Sequence, residues 1–91
     1  MNMQERDVTI INKLGLHARA AAKLVNVASK YASLIEVEKD GQRVNGKSIM
    51  GVMMLAASQG SVIKLLADGD DAEKSLDDME QLINNYFDED E

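Results

Sequence analysis

The chain has 91 residues, of which 45% are hydrophobic and 29% charged, a composition typical of a single globular domain, 1–91. It has no cysteine, which excludes disulfides and thiolate metal sites, and its one histidine excludes a multi-histidine zinc site. No apolar run approaches the roughly 20 residues that span a bilayer, and the first residues lack the apolar core of a signal peptide. We therefore expect a cytoplasmic protein that uses no metal, no cofactor and no membrane.

Charge is distributed unevenly along the chain, whose net charge is −6. Residues 1–50 carry +3, and residues 51–91 carry −9. Because nucleic-acid affinity depends on neutralising phosphates, an acidic chain with three aromatic residues is a poor nucleic-acid binder. The basic half surrounds the only histidine with Lys13, Arg19, Lys23 and Lys47. These cations predict attraction to acidic partners or to a phosphate, although each of them also fits an ordinary solvated surface.

The first elements along the chain are a strand, a loop and a helix. Residues 8–11 are β-branched throughout and predict a strand. Residues 12–15 predict a loop in which Gly15 takes a conformation that other residues resist. Residues 18–31 hold five alanines and no glycine or proline, which favours a helix. One face of this helix is apolar at helical spacing: Ala21, Leu24, Val25, Ala28 and Tyr31.

A hairpin and a short helix are predicted next. Residues 34–38 alternate between apolar and charged side chains for most of their length, which favours a half-buried strand. Asp40-Gly41 is a strong hairpin signal, so residues 42–44 are expected to form the return strand. Ser48 is placed to cap a helix over residues 49–56 by accepting a hydrogen bond from a free backbone N–H.

The rest of the chain predicts a fourth strand and a final helix. Residues 61–67 alternate enough for the strand. Asp70 and Glu73 predict a capping box at the start of the helix. The helix has one apolar stripe: Ala72, Leu76, Met79, Ile83 and Tyr86 or Phe87. Residues 88–91 are all acidic, and we expect them to stay solvated and loose.

The element order is β-α-β-β-α-β-α, which predicts an α+β fold. Helices that interrupt a mostly antiparallel sheet favour two layers, with the helices on one face and solvent on the other. The order of the elements leaves the pairing of the strands open.

His17 is the candidate functional residue. It lies between a strand and a helix, next to backbone N–H groups that have no acceptor inside the helix. Those donors and the helix dipole favour an anion, and Arg19 adds a second positive contact. Because histidine is not a favoured N-cap, helix stability does not explain its presence. A neutral imidazole without a catalytic partner predicts a carrier of a phosphoryl group, whereas the alternative is an incidental surface or core histidine.

Two motifs together resemble a known family. Gly-Leu-His-Ala-Arg at 15–19, followed by Lys47 and Ser48 within Asn-Gly-Lys-Ser-Ile-Met, is similar to the HPr family. These are the histidine-containing phosphocarrier proteins of the bacterial phosphotransferase system. The resemblance covers nearly the whole chain, including its length, its element order and its final amphipathic helix. It implies an open-faced β-sandwich, in which a four-stranded antiparallel sheet of order 1-4-2-3 lies under three helices.

The resemblance also implies roles for particular residues. His17 would take a phosphoryl group on Nδ1 from phospho-enzyme I and pass it to an enzyme IIA protein. Arg19 would help to hold the phosphate, and the chain would act as a monomeric, stoichiometric carrier rather than as an enzyme. Many members have proline where this chain has Ala20. Alanine should preserve the helix but adds an N–H and leaves the fine geometry of the site open.

Ser48 has two compatible interpretations. As a helix cap it would contribute about 1 kcal/mol. In part of the HPr family the corresponding serine is phosphorylated by a dedicated kinase, which blocks the relay. The resemblance therefore adds an HPr serine kinase as a candidate partner and Ser48 as a candidate regulatory site.

The short helix predicts a docking surface. Val52, Leu55 and Ala56 form the better core-facing stripe, which leaves other apolar side chains outward. The predicted docking residues are Ala20, Lys23, Lys47, Ile49, Met50 and Met53. The alternative is that some of the apolar ones complete the core. A rival function is a regulatory binding protein that acts through Ile49, Met50 and Met53 under the control of Ser48 phosphorylation.

Two branches of the relay compete, namely sugar uptake and nitrogen-related regulation. Three stretches resemble the nitrogen-type members more closely: residues 13–17, residues 53–55 and residues 84–89. An autonomous enzyme is the least favoured class, because the sequence offers no catalytic partner for the single histidine.

Overall fold

A computed structural model of the chain describes residues 3–89. Its strands and helices are β1 (Gln4–Thr9), α1 (Ala18–Ala28), β2 (Leu34–Lys39), β3 (Gln42–Asn45), α2 (Ile49–Met54), β4 (Val62–Asp68) and α3 (Ala72–Asn84), followed by a 3-10 turn (Tyr86–Asp88). The strands form one antiparallel sheet in the order β1-β4-β2-β3. The predicted fold and strand order are therefore confirmed.

The core lies between the helices and one face of the sheet. Side chains alternate along β4, so Ile63, Leu65 and Ala67 point into the core together. The helices bury their apolar faces against this layer, as Leu24 of α1 and Met79 of α3 illustrate. Burial of such side chains supplies roughly 1.5–3 kcal/mol each and holds the two layers together.

β1 begins four residues before the predicted strand, because tertiary contacts compensate for its polar sequence. Gln4 pairs with Ala67, and the register continues to Thr9 opposite Val62. Arg6 reaches from this strand to α3, where its guanidinium donates to Glu80 at 3.1 Å and also pairs with Asp77. Neither the pairing with β4 nor the ion pairs can be recognised from local sequence.

Two helices end earlier than predicted. α1 ends at Ala28, because the N–H of Lys30 bonds back to Val27 in a tighter turn. α2 ends at Met54, and Ala56 takes a left-handed backbone conformation (φ 51°) just after it. This turn exposes Ala56 and buries Ala57 instead, so the predicted core position at Ala56 is wrong.

The predicted capping box of α3 is also wrong. The N-cap is Asp71, and its side chain makes no capping hydrogen bond within the described chain. Its carboxylate instead accepts hydrogen bonds from the backbone N–H groups of Ala32 and Ser33 and from the Ser33 hydroxyl. These bonds hold the pKa of Asp71 below its ordinary value, with the Ser33 hydroxyl as the largest cause. Asp71 therefore stabilises the turn before β2.

Between residues 3 and 89, none of the helices has the length and apolar character that crossing a membrane requires.

Candidate functional site

The loop before α1 is fixed by a close approach to a second loop. Gly15 has φ +66°, and a Cβ at this position would lie 2.4 Å from the carbonyl oxygen of Ala57. The N–H of Leu16 donates to that same oxygen at 2.9 Å. A side chain at residue 15 would therefore clash with the backbone that holds the loop, which confirms the special backbone conformation predicted there.

Asn12 stabilises this loop from inside. Its side chain is fully buried, and Nδ2 donates to the carbonyl oxygen of Gly15 at 2.9 Å. Leu16 is also buried, so the chain is anchored immediately before His17. Within the described chain the Oδ1 atom of Asn12 is buried without a hydrogen-bond partner.

His17 is the N-cap residue of α1, as predicted. Its backbone is extended (φ −70°, ψ 175°), and among the described residues its side chain makes no capping hydrogen bond. The N–H of Ala21 is bonded to the carbonyl oxygen of His17 at 2.8 Å, so the amides of residues 18–20 precede the intrahelical ladder. The first turn holds no acidic side chain. This end of α1 therefore carries positive dipole charge next to the imidazole.

A shallow depression surrounds the His17 ring, whose side chain is 26% exposed. Its lining residues are Lys13, Leu14, His17, Ala18, Arg19, Lys23, Asp88 and Glu89. Three of the four predicted cations thus border the site. The Arg19 side chain is 75% exposed, so its guanidinium is accessible to an incoming anion.

Sequence reasoning missed Glu89. Its Oε1 lies 3.2 Å from Nε2 of His17, and its Oε2 lies 4.0 Å from a guanidinium nitrogen of Arg19. The Glu89 side chain is only 18% exposed. The expectation of a solvated acidic end therefore does not hold for Glu89, whereas Asp88 is exposed, and residues 90–91 lie outside the described residues. The four consecutive acids suggested only solvation, and no local signal pointed back to the histidine.

Several predicted docking residues occupy other environments. Ala20 is fully buried on the inner face of α1, so its assignment to a docking surface is wrong. Lys23 donates to the carbonyl oxygen of Phe87 at 2.7 Å, which ties α1 to the end of the chain. Lys47 donates to the carbonyl oxygen of Tyr31 at 2.7 Å and does not line the depression around His17.

The start of α2 agrees with its prediction. Oγ of Ser48 accepts a hydrogen bond from the N–H of Gly51 at 3.0 Å, which confirms the cap. Val52 and Leu55 are buried, as expected. The predicted outward apolar residues are exposed: Ile49 by 42%, Met50 by 75% and Met53 by 40%.

Two further exposed apolar residues were not predicted. Met54 is 66% exposed on the same helix, and Leu14 is 70% exposed at the edge of the histidine site. A helical wheel that places Val52 and Leu55 inside could have identified Met54. We refer to Ile49, Met50, Met53 and Met54, all on α2, together as the apolar patch.

No group of three or more His, Cys, Asp or Glu side chains in the described range 3–89 is arranged to hold a metal ion.

Comparisons with known proteins identify the family of the chain. Residues 4–85 match the family model described as the PTS HPr component phosphorylation site. The chain is 52% identical over 89 residues to the phosphocarrier protein HPr of Cupriavidus necator, covering 98% of this chain and 100% of that protein.

The chain is also similar to solved structures of HPr proteins. HPr-C-His from Thermoanaerobacter tengcongensis has a TM-score of 0.92 at 51% identity, covering 97% of this chain and 99% of the other. An HPr dimer from the same organism has a TM-score of 0.77 at 54% identity, covering 90% and 94%. The chain therefore belongs to the HPr family, the phosphocarrier proteins of the phosphotransferase system.

Proposed function

We propose that His17 is the phosphoryl acceptor of this carrier, taking the group on Nδ1 from phospho-enzyme I and delivering it to an enzyme IIA protein. The observation that carries the proposal is the position of His17 as the N-cap of α1, beside first-turn amides that precede the helical ladder. An anion attached to this ring lies at the positive end of the helix. Membership of the HPr family supports the same role.

Arg19 supplies the second positive contact. Its exposed guanidinium borders the depression around the ring and presents several N–H donors in a planar array that matches phosphate oxygens. Phosphoryl transfer depends mainly on positioning and on stabilisation of the equatorial oxygens, rather than on covalent chemistry by the protein. A carrier with one nucleophile and one cation therefore suffices when the partner proteins complete the site.

The test is phosphoryl labelling of the full chain. Incubation with enzyme I and labelled phosphoenolpyruvate should label the wild type stoichiometrically, and His17→Ala should abolish the label. Arg19→Ala should still accept the group, but about ten- to a hundredfold more slowly, because one charge-assisted contact is lost. Equal labelling of wild type and His17→Ala contradicts the proposal.

The apolar patch is the proposed docking surface for these partners. Exposed methionines adapt to differently shaped partners, and here they lie on a helix that also packs against α1. Met50→Glu should raise the Kd for enzyme I about tenfold, as measured by titration calorimetry. Val62→Glu is the matched control, because Val62 is 56% exposed on the sheet. If the two substitutions raised the Kd for enzyme I equally, the apolar patch would be excluded as the docking surface.

The acceptor is proposed to be a nitrogen-type enzyme IIA, since residues 13–17, 53–55 and 84–89 resemble nitrogen-type members. Labelled carrier should therefore transfer its phosphoryl group faster to a nitrogen-type than to a sugar-type enzyme IIA. Faster transfer to the sugar-type protein would reverse this assignment.

Ser48 is proposed as a regulatory phosphorylation site, the target of an HPr serine kinase. Its side chain is partly accessible beside the apolar patch, so an added phosphate places about two negative charges there. Ser48→Asp should lower the affinity for enzyme I, whereas Ser48→Ala should leave it unchanged.

We also propose that the chain acts as a monomer, which light scattering of the purified protein can test against the dimer solved for the Thermoanaerobacter tengcongensis protein.

A further inference from the structure

We propose that Glu89 is a positioning residue for His17: its carboxylate fixes the proton of the ring on Nε2 and so keeps the lone pair of Nδ1 available. This inference rests on the proposed function, in which Nδ1 receives the phosphoryl group. It assigns a role to a residue at the end of the chain, 72 positions away from the histidine.

The hydrogen bond determines the tautomer. Oε1 of Glu89 lies 3.2 Å from Nε2 of His17, and the structure gives Nδ1 no hydrogen-bond partner within residues 3–89. A neutral imidazole carries one N–H, and an ionised carboxylate can only accept. The proton must therefore lie on Nε2 for this bond to form, which leaves Nδ1 unprotonated.

The end of the chain is built to deliver this carboxylate. Tyr86, Phe87 and Asp88 all have positive φ, between 53° and 61°, a conformation that costs free energy in each of these residues. The bend persists because Phe87 is fully buried and its carbonyl oxygen accepts a hydrogen bond from Lys23 of α1. Nδ2 of Asn85 also donates to Asp88 at 2.8 Å. Glu89 is thus held against the ring by several independent contacts.

The carboxylate also acts during the transfer. The lone pair of Nδ1 forms the new N–P bond while the bond from phosphorus to the donor's leaving atom breaks, and that bonding pair stays with the leaving atom. The ring keeps its proton on Nε2 and gains positive charge. The Glu89 carboxylate offsets that charge from the Nε2 side of the ring, so it does not occupy the position of the phosphoryl group on Nδ1.

The experiment combines ring spectroscopy with transfer kinetics on the full-length chain. ¹⁵N NMR of the His17 ring at about pH 8, where imidazoles are neutral, should show wild-type shifts of a ring protonated at Nε2. Glu89→Ala should move the two ring shifts toward each other and slow acceptance from phospho-enzyme I about three- to tenfold. Glu89→Gln keeps an acceptor oxygen without the charge, so it should retain the tautomer with an intermediate rate.

Glu73→Ala is the matched control, because it removes the same side chain and charge from an exposed position on α3. Its ring shifts and transfer rate should equal those of the wild type. Unchanged ring shifts in Glu89→Ala, or a rate equal to or faster than the wild type, would overturn the role of Glu89. Failure of the wild type to accept the phosphoryl group would instead overturn the proposed function, and with it the purpose assigned to this contact.

Discussion

The first turns of α1 and α2 both contain backbone N–H groups that have no acceptor inside the helix, but the residues that precede the two helices differ in whether they bond to these groups. At α2, the hydroxyl of Ser48 accepts the N–H of Gly51, so a residue of the helix start satisfies one of its free amides. At α1, the side chain of His17 caps nothing within the described chain and is directed to Glu89 instead. The start of α2 is therefore capped by its own N-cap residue. At the start of α1 the side chain of the N-cap residue leaves the first-turn amides uncapped and contacts a residue that is distant in sequence.

This difference indicates that Ser48 serves mainly the stability of its helix, whereas His17 serves mainly phosphoryl transfer. A residue that caps its own helix contributes to folding wherever the rest of the chain lies, so its identity is explained by local chemistry. His17 contributes little to the helix that it begins, and its position is determined by contacts of the preceding loop with Ala57 and of its ring with Glu89. We therefore expect substitutions at the two starts to have opposite consequences for stability and for transfer.

The largest expected loss of stability comes from breaking the loop that presents His17. Gly15→Ala places a Cβ 2.4 Å from the Ala57 carbonyl oxygen at a residue with positive φ, so it should lower the free energy of unfolding by about 3 kcal/mol. Urea denaturation measures the loss. Gly60→Ala is the matched control, because Gly60 also has positive φ (+92°) but nothing within 4 Å of the added Cβ. The control should lose only about 1 kcal/mol, and equal losses would show that the contact with Ala57 is unimportant.

A paired substitution sharpens the comparison of the two helix starts. Ser48→Ala should lower the free energy of unfolding by about 1 kcal/mol, because the amide of Gly51 loses its acceptor. His17→Ala should change it by less than about 0.5 kcal/mol, since its ring caps nothing within the described chain and its hydrogen bond to Glu89 is partly exposed to solvent. Transfer should show the reverse, with full labelling of Ser48→Ala and none of His17→Ala. If Ser48→Ala and His17→Ala lowered the free energy of unfolding equally, the conclusion that only Ser48 stabilises its helix would be wrong.

Most of the fold was predictable, because it follows from local patterns. The hairpin at Asp40-Gly41, the cap at Ser48 and the apolar faces of α1 and α3 all depend on residues close in sequence. The strand order came from the family resemblance, since the order of the elements leaves pairing open. Errors arose where tertiary contacts override local preference, as in the polar start of β1.

The histidine site was predicted only in part. His17 and Arg19 stand out through residue type and position, and the structure brings both to the same depression. Ala20 was misassigned because being close in sequence to the histidine does not determine the face of the helix. Glu89 could not be found, because a run of acids carries no information on which member folds back onto the ring.

At the start of α3 the side chain of the N-cap residue bonds to a different segment of the chain. For this contact we predict the smallest effect on the free energy of unfolding. Asp71 is the N-cap of α3, yet the carboxylate accepts hydrogen bonds from the Ser33 hydroxyl and from the backbone N–H groups of Ala32 and Ser33, and these bonds hold its pKa below the ordinary value. A lowered pKa means that the charged form is favoured in the folded state. The resulting stabilisation is therefore present at neutral pH and is lost as the pH falls below about 4 and through the folded pKa.

Asp71→Asn tests this assignment, because asparagine is uncharged at every pH and can accept with one oxygen only. Its unfolding free energy should lie below that of the wild type at pH 7, and the gap should narrow as the pH is lowered toward 3, as measured by urea denaturation at each pH. Asp70→Asn removes the same charge one residue earlier, at an exposed position, and controls for net charge. A gap that stays constant with pH would show that the turn before β2 does not depend on the charge of Asp71, and α3 would then begin without an energetic link to that turn.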